Sequence, residues 1–292
     1  MQIFLTGVTG WVGTAVAREL IAAGHKIRGL ARSIEKAAAL ANEGVSIVPG
    51  DLAAVDLLRA EAAAADAVVH TAFGHDFSRF QAASDEDVRA IEAMGAALEG
   101  TDKPILVTSG VTLVAPGRIV TEADRQSANH AIPRRSEVAA LALRDKGVRA
   151  VILRLCPTVH GDGDHGFMRR LITLARDTGV SAYVGDGSNR WPAVHRLDAA
   201  ALYRIALEQI DPATVYHAVG EIGVPFGQVA ETIGRKLGLP IESRPPEHFG
   251  FLGQMVAADM PASSERTRIA TGWLPKHPGL IADLGLDSYY RI

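Results

Sequence analysis

Thr6-Gly7-Val8-Thr9-Gly10-Trp11-Val12-Gly13 is the stretch that decides the fold. It follows the short apolar run Gln2 to Leu5 and opens the amphipathic stretch Val12 to Ala23, so it reads as a turn from strand to helix. Its glycines have separate tasks. Gly7 permits a tight bend, Gly10 lets the backbone approach a pyrophosphate, and Gly13 lets the helix lie close to the strand. Free N–H groups and the positive end of the helix dipole then meet the phosphates. Thr6, Gly7, Thr9, Gly10, Trp11, Val12 and Gly13 are therefore candidate dinucleotide-binding residues.

Outward from this turn the chain keeps one rhythm. Short aliphatic runs at Lys26 to Leu30, Val45 to Val48, Ala67 to His70, Ile105 to Thr108 and Val148 to Leu153 read as strands buried on both faces. Ala-rich amphipathic stretches at Ile34 to Ala41, Ala53 to Ala65 and Ser136 to Leu143 read as the helices between them. The fold class expected is α/β, a Rossmann-type doubly wound parallel sheet with a smaller C-terminal α/β lobe for substrate. Residues 1–155 form the expected dinucleotide-binding domain. Residues 156–292 form the substrate-binding lobe, with some elements returning to the sheet: helices from Phe167 to Asp177, Leu197 to Gln209 and Phe226 to Leu237, and a strand at Thr214 to His217.

Composition sets the outer limits. The chain has 292 residues, 30 Lys plus Arg against 33 Asp plus Glu, a net charge of −3, and 48% hydrophobic residues, an ordinary globular balance. So even a charge does not point to nucleic acid as a partner. The single cysteine, Cys156, excludes an internal disulfide framework and fits a reducing compartment. No apolar stretch reaches the roughly 18 residues that cross a bilayer, and Met1 to Leu5 lacks a basic leader region. A cytoplasmic location, a small-molecule substrate and no membrane partner are the expectations. An Ala-rich helix such as Ser136 to Leu143 also suits a homodimer.

The end of the second strand bears on the choice of dinucleotide. An acidic residue there would accept the ribose hydroxyls of NAD, but the sequence reads Gly29-Leu30-Ala31-Arg32-Ser33. Ala31 removes the repulsion an acid exerts on a 2′-phosphate, while Arg32 and Ser33 can bind that phosphate. NADP, as NADPH, is expected in preference to NAD.

With Asp51-Leu52 after the third strand and His70-Thr71-Ala72 ending the fourth, the chain resembles the short-chain dehydrogenase/reductase superfamily. The glycine spacing is similar to that of its extended and atypical branches, the NAD-dependent epimerase/dehydratase family. Arg154-Leu155-Cys156-Pro157-Thr158-Val159-His160-Gly161 is similar to that family's Arg-x-x-x-x-Val-Tyr-Gly stretch, Ala193 to Ala200 to its His-Val-x-Asp-Val-Ala stretch, and Gly272 to Pro275 to its Leu-Gly-Trp-x-Pro. The resemblance implies that Asp51 and Leu52 lie beside the adenine, that Thr71, Ala72, Phe73 and Thr108 line the cofactor cleft, and that Pro157, Thr158 and Val159 lie near the nicotinamide.

In that family a Tyr-x-x-x-Lys helix carries the chemistry, the lysine lowering the phenol pKa. This sequence contains no Tyr-x-x-x-Lys. The best register in Ile132-Pro133-Arg134-Arg135-Ser136-Glu137 puts Pro133 on the tyrosine and Glu137 on the lysine. Other groups must act if catalysis occurs. Ser109 and Thr112, just after the fifth strand, are candidates for a hydrogen bond to a substrate carbonyl, and they equally suit bonds to backbone at a strand end. His130 precedes the helix that lacks the tyrosine. His160 or His165 can exchange protons near neutral pH and replace the phenol. Asp164, Arg190, Trp191 and His195 are candidate substrate contacts, His195 equally a residue bonded within its lobe. The Asp/His loop also suits a metal, but such loops commonly arise as turns, and none is expected.

The leading expectation is an NADP-dependent oxidoreductase of the atypical type, reducing a small carbonyl or imine-like substrate. A non-catalytic NADP(H)-binding sensor is the alternative, favoured by the missing Tyr/Lys pair. A sugar-nucleotide epimerase or dehydratase stands third, because those cycles start with removal of a hydroxyl proton.

Overall fold

The computed structural model describes residues 1–74, 79–113, 118–126, 134–209, 211 and 215–291. Strand β1 (Gln2–Thr6) turns into helix α1 (Trp11–Ala22). The alternation continues through β2 (Lys26–Ala31), α2 (Ile34–Asn42), β3 (Ser46–Pro49), α3 (Val55–Ala64), β4 (Ala67–His70), α4 (Phe80–Ala96), β5 (Pro104–Gly110), α5 (Ser136–Asp145) and β6 (Arg149–Leu155). Next come β7 (Thr158–His160), α6 (Phe167–Thr178), β8 (Ser181–Tyr183), β9 (Arg190–His195), α7 (Arg196–Glu208) and β10 (Val215–Ala218). The main sheet has seven strands in the order β10-β6-β5-β4-β1-β2-β3, all parallel. The order reverses between β1 and β4, which opens the crevice where such sheets bind ligands.

Alternation along the strands builds a core on each face of the sheet. Ile3 and Leu5 of β1 face α1, α2 and α7, while Phe4 between them faces α3, α4 and α5. In β6 Val151 and Leu153 take the first face, and Ala150 and Ile152 the second. This is the doubly wound arrangement expected from the sequence.

Helix α4 is the large element that the periodicity does not announce. Its buried face, Ala83, Ser84, Asp87, Ala90, Ile91 and Met94, has helical spacing, but a serine and an aspartate stand among its apolar positions. The two polar residues weaken the hydrophobic signal, and Asp87 serves a buried network rather than the core.

Past β10 the chain forms β11 (Glu221–Pro225), α8 (Phe226–Leu237), β12 (Ile241–Ser243), α9 (Gly253–Ala257), α10 (Glu265–Thr271) and α11 (Leu280–Leu284). A three-stranded sheet, β11-β9-β7, and a two-stranded one, β12-β8, organise a second core around Met168, Trp191, Phe226, Phe249 and Leu284. Residues 196–218 lie beyond position 155 in sequence but pack back, α7 against α1 and β10 against β6. Trp273 closes that side, its indole N–H donating to the Asp198 carbonyl at 2.9 Å. Among the described residues no helix is long and apolar enough to cross a membrane.

Candidate functional site

The turn between β1 and α1 is shaped by what a side chain would strike. Gly7 has φ +73°, and a Cβ there would stand 2.7 Å from the Ala72 nitrogen; a Cβ on Gly13 would stand 2.0 Å from the Gly7 carbonyl oxygen. Gly10 differs. It is exposed, has an ordinary extended φ of −79°, and a Cβ there would meet only the Gly7 oxygen at 3.1 Å. Its bare face leaves room for a ligand, at a helix start that no side chain caps. The residues present fit a dinucleotide pyrophosphate.

At the end of β2, Ala31 is buried and Arg32 is exposed, with no ion-pair partner among the described residues. Ser33 caps α2, its hydroxyl oxygen accepting the Lys36 N–H at 3.2 Å. Asp51 is exposed and accepts the Ala53 N–H, while Leu52 packs into the core beneath it. Thr9 is exposed, Val12 and Ala72 are half-buried, and Phe73 packs against Phe80.

Several hydroxyls expected on the cofactor are committed inside the protein. Thr71 donates to the Thr6 carbonyl at 2.7 Å, and Thr108 to the His70 carbonyl at 2.6 Å. Thr6 Oγ1 lies 2.8 Å from His70 Nδ1, and His70 Nε2 lies 2.9 Å from Asp87 Oδ1. A carboxylate only accepts, so His70 Nε2 donates to Asp87. The other oxygen of Asp87 accepts the Ser136 hydroxyl at 2.6 Å, and Ser136 accepts from Arg134 Nε at 2.9 Å. Arg134 Nη2 donates to the Thr108 carbonyl at 3.0 Å, and its guanidinium lies 4.2 Å from the Phe73 ring centre. The network thus spans the glycine turn, the ends of β4 and β5, and the start of α5. His70, Asp87 and Ser136 are fully buried.

Glu137, in the lysine register, makes a buried pair with Arg154, Nε and Nη2 donating at 2.8 and 2.6 Å. Arg154 Nη1 stands 3.0 Å from His217 Nε2, and His217 Nδ1 lies 2.7 Å from the Ser263 carbonyl. Burial first, and then the Arg154 charge, push His217 down to about 4, so at neutral pH Nδ1 donates and Nε2 accepts. Tyr203 does not replace the missing phenol. It is fully buried against Thr108, and burial pushes its hydroxyl well up.

In the second lobe most of the candidate side chains have partners within the protein. His160 is 1% exposed, its Nδ1 2.7 Å from Asp283 Oδ2, so the ring ties β7 to α11. Arg190 is neutralised by Asp259, with Nε and Nη2 donating at 3.0 and 2.8 Å. Trp191 packs between Phe167 and Phe226 in the core. His195 caps α7, accepting the Leu197 N–H, and stacks on His277 with centroids 4.6 Å apart. Asp164 is buried, which raises its pKa, and it accepts the Gly166 N–H within its own turn. His195, Asp198 and His277 bring ligand-type atoms within 4.8 Å of one another, but Asp198 already accepts the Lys276 and His277 N–H groups.

Ser109 and Thr158 are different. Both are buried, and neither hydroxyl has a hydrogen-bond partner among the described residues. Buried polar atoms without partners are uncommon, and these stand at the cleft ends of β5 and β7. Thr112 lies in the short helical turn after β5, Pro157 and Val159 are half-buried, and His165 is exposed. Trp11 joins the glycine turn to the second lobe: its indole N–H donates to the Val159 carbonyl at 2.8 Å, the His165 ring lies against its edge, and Arg196 lies 4.0 Å over its face. His130 and Pro133 lie outside the described residues.

The sequence profile of the NAD dependent epimerase/dehydratase family matches residues 3–220. The chain belongs to the NAD dependent epimerase/dehydratase family. An uncharacterised protein of Schizosaccharomyces pombe is 45% identical over 99% of this chain and 100% of its own length. A 2-alkyl-3-oxoalkanoate reductase of Stenotrophomonas maltophilia is 30% identical over 73% of this chain and 67% of its own. A crystal structure of dTDP-glucose 4,6-dehydratase from Streptomyces venezuelae with NAD bound has the same fold, with a TM-score of 0.79 at 20% identity, over 99% of this chain and 97% of that one. Within this epimerase/dehydratase frame, sequence reasoning missed Arg134, Asp87 and Ser136. The only signal was the Arg134-Arg135-Ser136 run beside the missing tyrosine, and nothing in it marked Arg134 over Arg135.

Proposed function

We propose that the protein is an NADP-dependent oxidoreductase that reduces a small carbonyl or imine-like substrate in the cleft between sheet and second lobe. The observation that carries this is the nucleotide end: a glycine turn with Gly10 bare, and a β2 that ends in Ala31 followed by Arg32, without an ion-pair partner among the described residues, where a carboxylate would select NAD. When bound, the nicotinamide supplies the hydride. Gly7 to Gly13 hold the pyrophosphate, Arg32 and Ser33 bind the 2′-phosphate, and the Ser109 and Thr158 hydroxyls, unpartnered among the described residues, orient ligand at the reacting end. The similarity to the Stenotrophomonas reductase favours a 3-oxo acid among the substrates to test.

The missing Tyr/Lys pair favours a second reading, a non-catalytic NADP(H) sensor. Fluorescence titration with NADPH and NADH, followed by NADPH oxidation with 3-oxo acids, ketones, aldehydes and imines, separates the two. Turnover with NADPH establishes the reductase. Tight binding with no turnover across the panel would favour the sensor, and equal affinity for NADH would remove the role given to Arg32.

A further inference from the structure

We propose that Arg134 is the cation of the reaction cleft, stabilising the negative charge that develops on substrate oxygen in place of a phenol and lysine. The inference rests on the reductase reading above. Its geometry is independent of that reading. Arg134 stands one residue past the tyrosine register, yet its guanidinium is drawn to the end of β5, bonded to the Thr108 carbonyl beside the unpartnered Ser109 hydroxyl. It is fixed on one edge by Ser136, which is held in turn by Asp87, and on one face by Phe73. Among the described residues its Nη1 donors have no acceptor. A buried network that holds one edge of a guanidinium and leaves another free is suited to present charge to a ligand.

The lysine register supports the same assignment. Glu137 there is consumed by Arg154 and contributes no cation. Burial lowers the Arg134 pKa, the Asp87 carboxylate of α4 opposes this, and the guanidinium stays protonated throughout the working pH range; Tyr203 of α7 faces it as a neutral phenol.

When bound, the reduced dinucleotide would supply a hydride to the substrate carbonyl carbon and would itself be oxidised by two electrons. The C–O π pair moves onto oxygen, the oxyanion is held by Arg134, and a proton from water completes the alcohol. Asp87 and Ser136 are positioning residues: they touch neither substrate nor cofactor.

The test compares wild type with Arg134→Gln, Arg134→Ala and Arg134→Lys, using NADPH affinity and melting temperature as controls. Loss of one oxyanion donor lowers kcat about 100- to 1000-fold. NADPH affinity is expected within about threefold of wild type, and added guanidinium ion should partly restore Arg134→Ala. The lysine variant gives a readout that a structural role would not move. A lysine titrates from about 10.4 downward when buried, so kcat of Arg134→Lys should fall on the alkaline side where wild type stays flat. This arm also holds if the neutral variants fail to fold. An active wild type with undiminished Arg134→Gln, or an Arg134→Lys profile matching wild type, would overturn the inference alone. A wild type that binds NADPH but turns over nothing would overturn the reductase reading together with it.

Discussion

The nucleotide end and the second lobe hold residues of equal chemical interest, yet they differ in how those residues are used. At the nucleotide end the working parts are backbone: Gly10 and Gly13 are set by the Gly7 carbonyl within the turn, and Gly7 by Thr71 and Ala72 just after β4. In the second lobe the conspicuous side chains are consumed by partners far along the chain. His160 meets Asp283 across 123 residues, and Arg190 meets Asp259 across 69. A polar residue in a loop is therefore weak evidence of a site until its partners are known, whereas a glycine with no steric reason to be one is strong evidence.

The largest effect that sharpens this contrast is expected from Gly13→Val. A side chain directed at the Gly7 oxygen, 2.0 Å from its Cβ, should prevent the α1 turn from forming and leave little soluble protein. Gly10→Glu is its counterpart. That variant should keep its melting temperature within a few degrees while dinucleotide affinity falls more than about 100-fold, as a carboxylate meets the phosphates. Binding that survived would place the pyrophosphate elsewhere.

In the second lobe, Trp191→Ala should cost about 3–5 kcal/mol in urea unfolding, the range for emptying a buried aromatic site, with NADPH affinity unchanged. Trp191→Phe should cost far less, because the indole N–H it removes has no partner among the described residues. A large change in kcat/KM with unaltered stability would return Trp191 to the substrate site.

Arg32→Ala should weaken NADPH binding about tenfold to a hundredfold and leave NADH binding nearly unchanged, as expected for loss of one charge-assisted contact. Parallel loss for both cofactors would mean that Arg32 acts on something other than the 2′-phosphate.

A further effect, on stability alone, is a pH dependence. His217 is pushed down to about 4 in the folded chain from an ordinary 6.5, so the unfolded chain binds its proton first. Its contribution is complete above about 6.5 and is lost as pH falls toward 4, with a slope of at most about 1.4 kcal/mol per pH unit. Urea midpoints across this range should flatten in His217→Gln; an identical slope would assign the acid loss to other groups.

The sequence by itself determined the α/β sheet, the position of the phosphate turn, the alanine at the end of β2 and the absence of a Tyr/Lys pair. Each is written in consecutive residues: continuous aliphatic runs in strands, glycine spacing in a turn, or a motif that is absent. Only the tertiary structure decided which polar side chains remain free. His70, Asp87 and Ser136 are separated by 17 and 49 residues, so their chain of hydrogen bonds to Arg134 arises only when β4, α4 and α5 pack. It also buried His160 and Trp191 in the lobe and gave Arg190 and His195 partners there. The physical reason is the same throughout: backbone shape is fixed by local sterics, whereas the availability of a side chain depends on every group that folding brings within hydrogen-bond reach.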